Sequence, residues 1–185
     1  MTDSAMAWLV VALVVFWSVG AHNRLIRLRG QAIAAFQALG EPLGRYIALV
    51  DEYALSATAG LAPAQQPVPP DGAAQACARL QAASTQFDAS LRVARRQVLN
   101  AGGMAALKTA LAVLQAAWAR AQGSGPAWQH PLAAAYQLQW AENDQLAAHA
   151  MAAFNRAVSD HNAAIAQFPA LLLAHLFGFR AAGCL

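Results

Sequence analysis

The sequence predicts an all-α protein, in which an N-terminal transmembrane helix continues into an antiparallel bundle of about four long helices. Three observations predict it. Between Asp3 and Arg24 there is no formally charged side chain, so residues 4–23 form one uninterrupted window. Beyond it, apolar residues recur at steps of three, four and seven, the spacing of one helix face. Strand patterns are missing, because outside the first segment no run of β-branched residues occurs. The expected organisation is an anchor at 1–23, a helical bundle at 24–168 with a proline-rich loop at 61–72, and a short apolar tail at 169–185.

The 20-residue window corresponds to about 30 Å of helix, the thickness of a hydrocarbon core. Its middle, Trp8 to Trp17, is apolar on every face, as expected of a helix in lipid or deep in protein. Trp8 and Trp17 stand towards the two ends, where indole rings favour the membrane interface. A cleaved signal peptide is the competing reading, with Val19-Gly20-Ala21 as a small-residue site. It would require a positive leading region, and here Asp3 precedes the apolar run. Arg24, Arg27 and Arg29 follow the span and no Lys or Arg precedes it. The positive-inside rule therefore places the C-terminal domain in the cytoplasm. The three arginines would also lie within reach of anionic lipid headgroups.

The rest of the chain divides into four helical stretches. The first runs on from the anchor, from Arg24 to Ala59, with Leu25, Ala32, Phe36, Leu39, Leu43, Ile47, Val50 and Tyr53 on one face. Pro42 lies between Gly40 and Gly44, and an interior proline costs a helix about 3 kcal/mol, so a kink or break is expected there. Four prolines between Leu61 and Gly72 mark a loop, with Asp71-Gly72 leading into the next helix. The second stretch, Ala73 to Asn100, carries Leu80, Ala83, Phe87, Leu91, Ala94 and Val98, and Asn100-Ala101-Gly102-Gly103 reads as its stop. The third, Met104 to Gln122, carries Met104, Leu107, Leu111, Leu114 and Trp118 and ends at Gly123-Ser124-Gly125-Pro126. The fourth, Leu132 to Gln167, carries Leu146, Ala150, Phe154, Val158, His161, Ile165 and Phe168 and ends at Pro169. Long helices joined by short loops imply antiparallel neighbours. The apolar tail is too short to span a bilayer and is expected to pack back on the bundle, with a surface position beside Arg180 as the alternative.

Composition narrows the function classes. Of 185 residues, 58% are apolar and 11% charged, where an ordinary soluble domain has about 25% charged. Much of the excess is alanine, the strongest helix former. The net charge of +3 is scattered, whereas nucleic-acid binders concentrate charge in a stripe with interleaved aromatics, so no nucleic-acid partner is expected. Cys77 and Cys184 form neither a disulfide framework nor a metal pattern; Cys77 is expected as a small apolar residue in a helix and Cys184 as a free thiol.

No residue set has the look of catalysis. His149 and His161 are twelve positions apart on one helix, about 18 Å by rise, too far to share a metal. Asp51-Glu52 and Glu142/Asp144 are expected on solvated faces. No phosphate loop, nucleophile elbow or CxxC occurs. No catalytic, cofactor or metal residue is therefore assigned, and the chain is expected not to be an enzyme. The polar positions that stand out are Asn23, Asn155, Asn162 and His161. Asn155 and Asn162 are seven apart and so share a helix face. Buried asparagines need partners, and they either specify helix register or form a polar groove that holds a partner peptide. His161 falls on the apolar stripe and is expected to be a core residue.

Two blocks carry a family resemblance. His22-Asn23-Arg24-Leu25-Ile26-Arg27-Leu28-Arg29, directly after the anchor, continues through Ala35-Phe36, Leu39, Leu43, Arg45 and Leu49-Val50. Phe154 to Ile165, then Phe168-Pro169 and Leu176-Phe177-Gly178-Phe179, form the second block. Together they resemble the LemA family in order and spacing, over about a third of the chain. His22 and His161 stand where that family usually has tyrosine. The resemblance implies a single-pass protein of a bacterial-type inner membrane, with a helical bundle and no catalytic residue to transfer. The expected role is a non-catalytic interaction or scaffold module whose partners are the bilayer and an unknown protein. The alternative is an envelope-facing accessory to a membrane enzyme or protease.

Overall fold

Alanine-rich segments with a single apolar stripe have no other way to bury that stripe than against one another. The computed structural model describes residues 2–59, 71–122, 131–167 and 181–185. Side chains are described within these except at 2–5, 7, 10, 57–59, 71–74, 131 and 132. Among the described residues there are four helices: α1 (Thr2–Ala59), α2 (Asp71–Arg96), α3 (Ala101–Gln122) and α4 (Pro131–Ala166). No strand occurs among the described residues. The loop expected at 61–72 lies outside them except for Asp71 and Gly72, which open α2.

The principal packing pairs are α1 with α4, α2 with α3, and α1 with α2. Leu25 packs near Ala164, Phe36 meets Phe154, Tyr46 meets Trp140, and Tyr53 meets Tyr136. Position rises along α1 as it falls along α4, so the two are antiparallel. The same holds for α1 and α2, joined by Tyr46 with Phe87 and by Gly40 with Arg95. The expected bundle is therefore present. Every stripe residue of α1 is buried except Ile47, which is half-buried against the core. The α2 and α3 stripes are buried likewise, apart from half-buried Val98.

The break expected at Pro42 is absent, since α1 runs through it for 58 residues, about 87 Å. Proline leaves the turn before it short of one hydrogen bond. Neighbouring helices bond to two other carbonyls of that region, neither of them the Ala38 O that Pro42 deprives. Arg95 Nη2 donates to Gly40 O at 3.2 Å, and buried Asn143 Nδ2 donates to Pro42 O at 2.9 Å. With Leu39, Leu43 and Tyr46 all fully buried around it, tertiary packing outweighs the local cost.

Asn100 corrects a second expectation. It starts α3 and does not stop α2, which already ends at Arg96. Its Oδ1 accepts from Gly103 N at 2.9 Å and its carbonyl accepts from Met104 N at 3.0 Å, the two bonds of a helix N-cap. Gly102 and Gly103 consequently lie inside α3.

The bundle begins at Leu25, only 1% exposed. Ahead of it, the described side chains of α1 are mostly exposed, Trp8 and Phe16 by 72% and 80%. Among the described residues, no helix is long and apolar enough to cross a membrane. The side chains of Ser4, Ala5, Ala7 and Val10, part of the expected 4–23 span, lie outside them. Of the tail, residues 168–180 are outside the described residues, and 181–185 pack back on the bundle, with Ala182 buried in the core and Leu185 against it.

Candidate functional site

The sequence-predicted residues fall into two places. Trp8 and Trp17 lie on the projecting end of α1, both exposed, among exposed Met6, Leu9, Val11, Leu13, Val14, Val15, Phe16 and Val19. Since α1 is a single helix there, those side chains cover its whole circumference, at about 100° per residue. Asn23, Arg24, Arg27 and Arg29 follow as an exposed polar collar just where the bundle starts. Arg24 Nη1 donates to Gln167 Oε1 at 3.1 Å, tying the collar to the end of α4. Asn23 is exposed and so is not a buried specifying residue.

Asn155 and Asn162 form the second place, where both carboxamides grip the chain's own C-terminal segment. Asn162 Nδ2 donates to Ala182 O at 2.9 Å and its Oδ1 accepts from Ala182 N at 2.8 Å. Asn155 Nδ2 donates to Leu185 O at 2.8 Å and its Oδ1 accepts from Leu185 N at 2.9 Å. One carboxamide thus satisfies both backbone groups of one residue, twice. The asparagines are therefore joined to each other's surroundings by a peptide segment and not to another helix.

His161, between the two asparagines and next to Asn162, is 1% exposed, and its Nδ1 has no hydrogen-bond partner among the described residues. Burial lowers its pKa below 6.5, with a further push from the Arg29 charge. Its core position is as expected.

Sequence reasoning missed a polar and aromatic cluster deeper in the bundle. The Tyr46 hydroxyl donates to the Asp144 carboxylate, so Asp144 is not on the solvated face expected of it, whereas Glu142 is exposed. Burial, then the Asp144 contact, raises the Tyr46 pKa above 10.0. Asn143 is fully buried beside it. Trp118 and Trp140 stack at 4.1 Å and 8°, flanked by Tyr53 edge-on to Trp118 at 5.8 Å. The stripe of α4 runs through Ala147 and not through Leu146, which is 55% exposed. The signal that could have found this cluster is the spacing Tyr136-Trp140-Asn143-Ala147, steps of three and four.

Among the described residues, no group of three His, Cys, Asp or Glu could hold a metal ion. Cys77 and Cys184 are free thiols, and burial raises the Cys77 pKa. Comparison with family models, with curated proteins and with solved structures gives no match to this chain.

Proposed function

We propose that this chain is a single-pass membrane protein that resembles the LemA family and presents its helical bundle to the cytoplasm as a non-catalytic interaction module. The observation that carries the reading is the projecting end of α1. A helix segment exposed and apolar around its whole circumference needs an apolar surrounding, and its charge-free window matches one bilayer thickness. The arginine collar marks the retained side. No joint separates anchor from bundle, because α1 is one helix from Thr2 to Ala59.

Cys184 is exposed and serves as a topology reporter once Cys77 is changed to serine. In intact cells a membrane-impermeant maleimide is expected to leave Cys184 unmodified, and to modify it after permeabilisation. Modification in intact cells would reverse the orientation and favour a role in the cell envelope.

A further inference from the structure

We propose that the α4 face bearing Asn155 and Asn162, closed on one side by the start of α3, is a binding groove for an extended peptide. Its occupant in trans is a segment of another polypeptide with the order small, glycine, any residue, apolar. Residues 182–185 are the cis occupant that fills it. The inference rests on reading the bundle as an interaction module and is independent of the anchor.

The first argument is metric. Asn155 and Asn162 are two helical turns apart, about 10.5 Å by rise. They bind Leu185 and Ala182, which are three residues apart, about 10 Å in an extended chain. The i,i+7 step of the helix therefore matches the i,i+3 step of an extended segment. The segment runs antiparallel to α4, since Asn162 holds Ala182 and Asn155 holds Leu185. All four bonds go to main-chain groups, so they would hold any sequence that can lie there. This is the division of labour in extended-peptide recognition, where backbone bonds give affinity and side-chain pockets give selectivity.

The second argument is the selectivity already visible in the cis segment. Ala182 is 7% exposed, so its place takes only a small side chain. A Cβ on Gly183 would stand 2.7 Å from Ala101 Cα and 3.2 Å from both Ala101 O and Met104 Cβ. Backbone cannot yield there, so only glycine fits against α3. Cys184 is exposed and unconstrained, while Leu185 packs on the core. Segment and groove are not one continuous helix pairing, and 181–185 belong to no regular element, so displacing them breaks no helix.

The test uses the full chain in detergent micelles or nanodiscs, with residues 181–185 deleted to empty the groove. A fluorophore-labelled synthetic peptide with the sequence of residues 181–185, serine replacing Cys184, is titrated by anisotropy. Saturable binding to the emptied groove is expected, with weaker binding to the intact chain, whose own segment competes. Asn155→Leu with Asn162→Leu in the receptor should weaken binding about tenfold or more, and valine at the Gly183 position of the peptide should abolish it. Absence of saturable binding to an emptied receptor that keeps its helicity and melting profile would overturn the proposal, as would binding indifferent to either change. Should the deletion unfold the chain, Gly183→Val serves as the second receptor. Independently, a nitroxide on Cys184 of the Cys77→Ser chain should gain mobility with excess peptide, and unchanged mobility counts against the groove. None of these outcomes bears on membrane anchoring, which the maleimide and extraction experiments read separately.

Discussion

At the scale of single residues, the bundle buries a few polar groups that are only partly satisfied, Asn143 Oδ1 and His161 Nδ1 having no hydrogen-bond partner among the described residues. In Asn143 the amide group donates to Pro42 O, while its buried Oδ1 has no hydrogen-bond partner among the described residues. Asn143→Leu leaves that carbonyl without its side-chain donor, and a loss of about 1–3 kcal/mol is expected by denaturant unfolding. Tyr46→Phe removes the hydroxyl's bonds with half-buried Asp144 and with Gln115, and a loss of about 1–2 kcal/mol is expected in the same experiment. His161 makes stability depend on pH. Its folded pKa is depressed, so the unfolded chain binds its proton more readily. The contribution is present above pH 6.5 and is lost as pH falls from there through the folded value. His161→Phe should flatten this part of the pH–stability curve, and an unchanged slope would assign the titration elsewhere. The sequence shows His161 as a core residue because it sits on a stripe of larger apolar neighbours. It hides Asn143 and Tyr46 because burial of a polar group depends on a partner from a distant helix.

At the scale of elements, the stripes of α1, α2 and α3 are legible because Leu, Phe and Met mark one face against alanine and polar residues. In α4 alanine lies on all sides, so the face is weakly marked, and one step of sequence rotates the reading by about 100°. That is how Leu146 stands in for Ala147 and why Trp140 escapes notice. At Pro42 the propensity penalty is real, but packing from α2 and α4 offsets it, so α1 is not broken there. At Asn100 the same residue type serves stops and starts, and only the bond to Gly103 N identifies a cap. Asn100→Ala should cost about 1 kcal/mol of stability, while Asn100→Asp or Asn100→Ser should retain most of it. Equal stability of the alanine variant would show that the α2–α3 turn is held by its apolar contacts alone. The asparagine pair was readable as a shared face. Its grip on residues 182–185 was not, because a tail with no periodic pattern gives no sign of where it docks.

At the scale of the whole molecule, one helix links an apolar end to the core of the bundle. Among the described residues, α4 meets α1 from the level of Leu25 and α2 from about Gly40, and the side chains described ahead of Leu25 are mostly exposed. In the proposed membrane setting, the bundle stands directly on the bilayer. The groove of Asn162 and Asn155 then opens near the surface, about the level at which α1 passes Arg29, with the aromatic cluster at the far end. The central claim is that the projecting segment of α1 is a membrane anchor. It is tested most directly by alkaline carbonate extraction of membranes from cells that express either the full chain or a chain lacking residues 1–23. The full chain is predicted to remain in the pelleted membranes and the shortened chain to be released; recovery of the full chain in the carbonate supernatant would contradict the account.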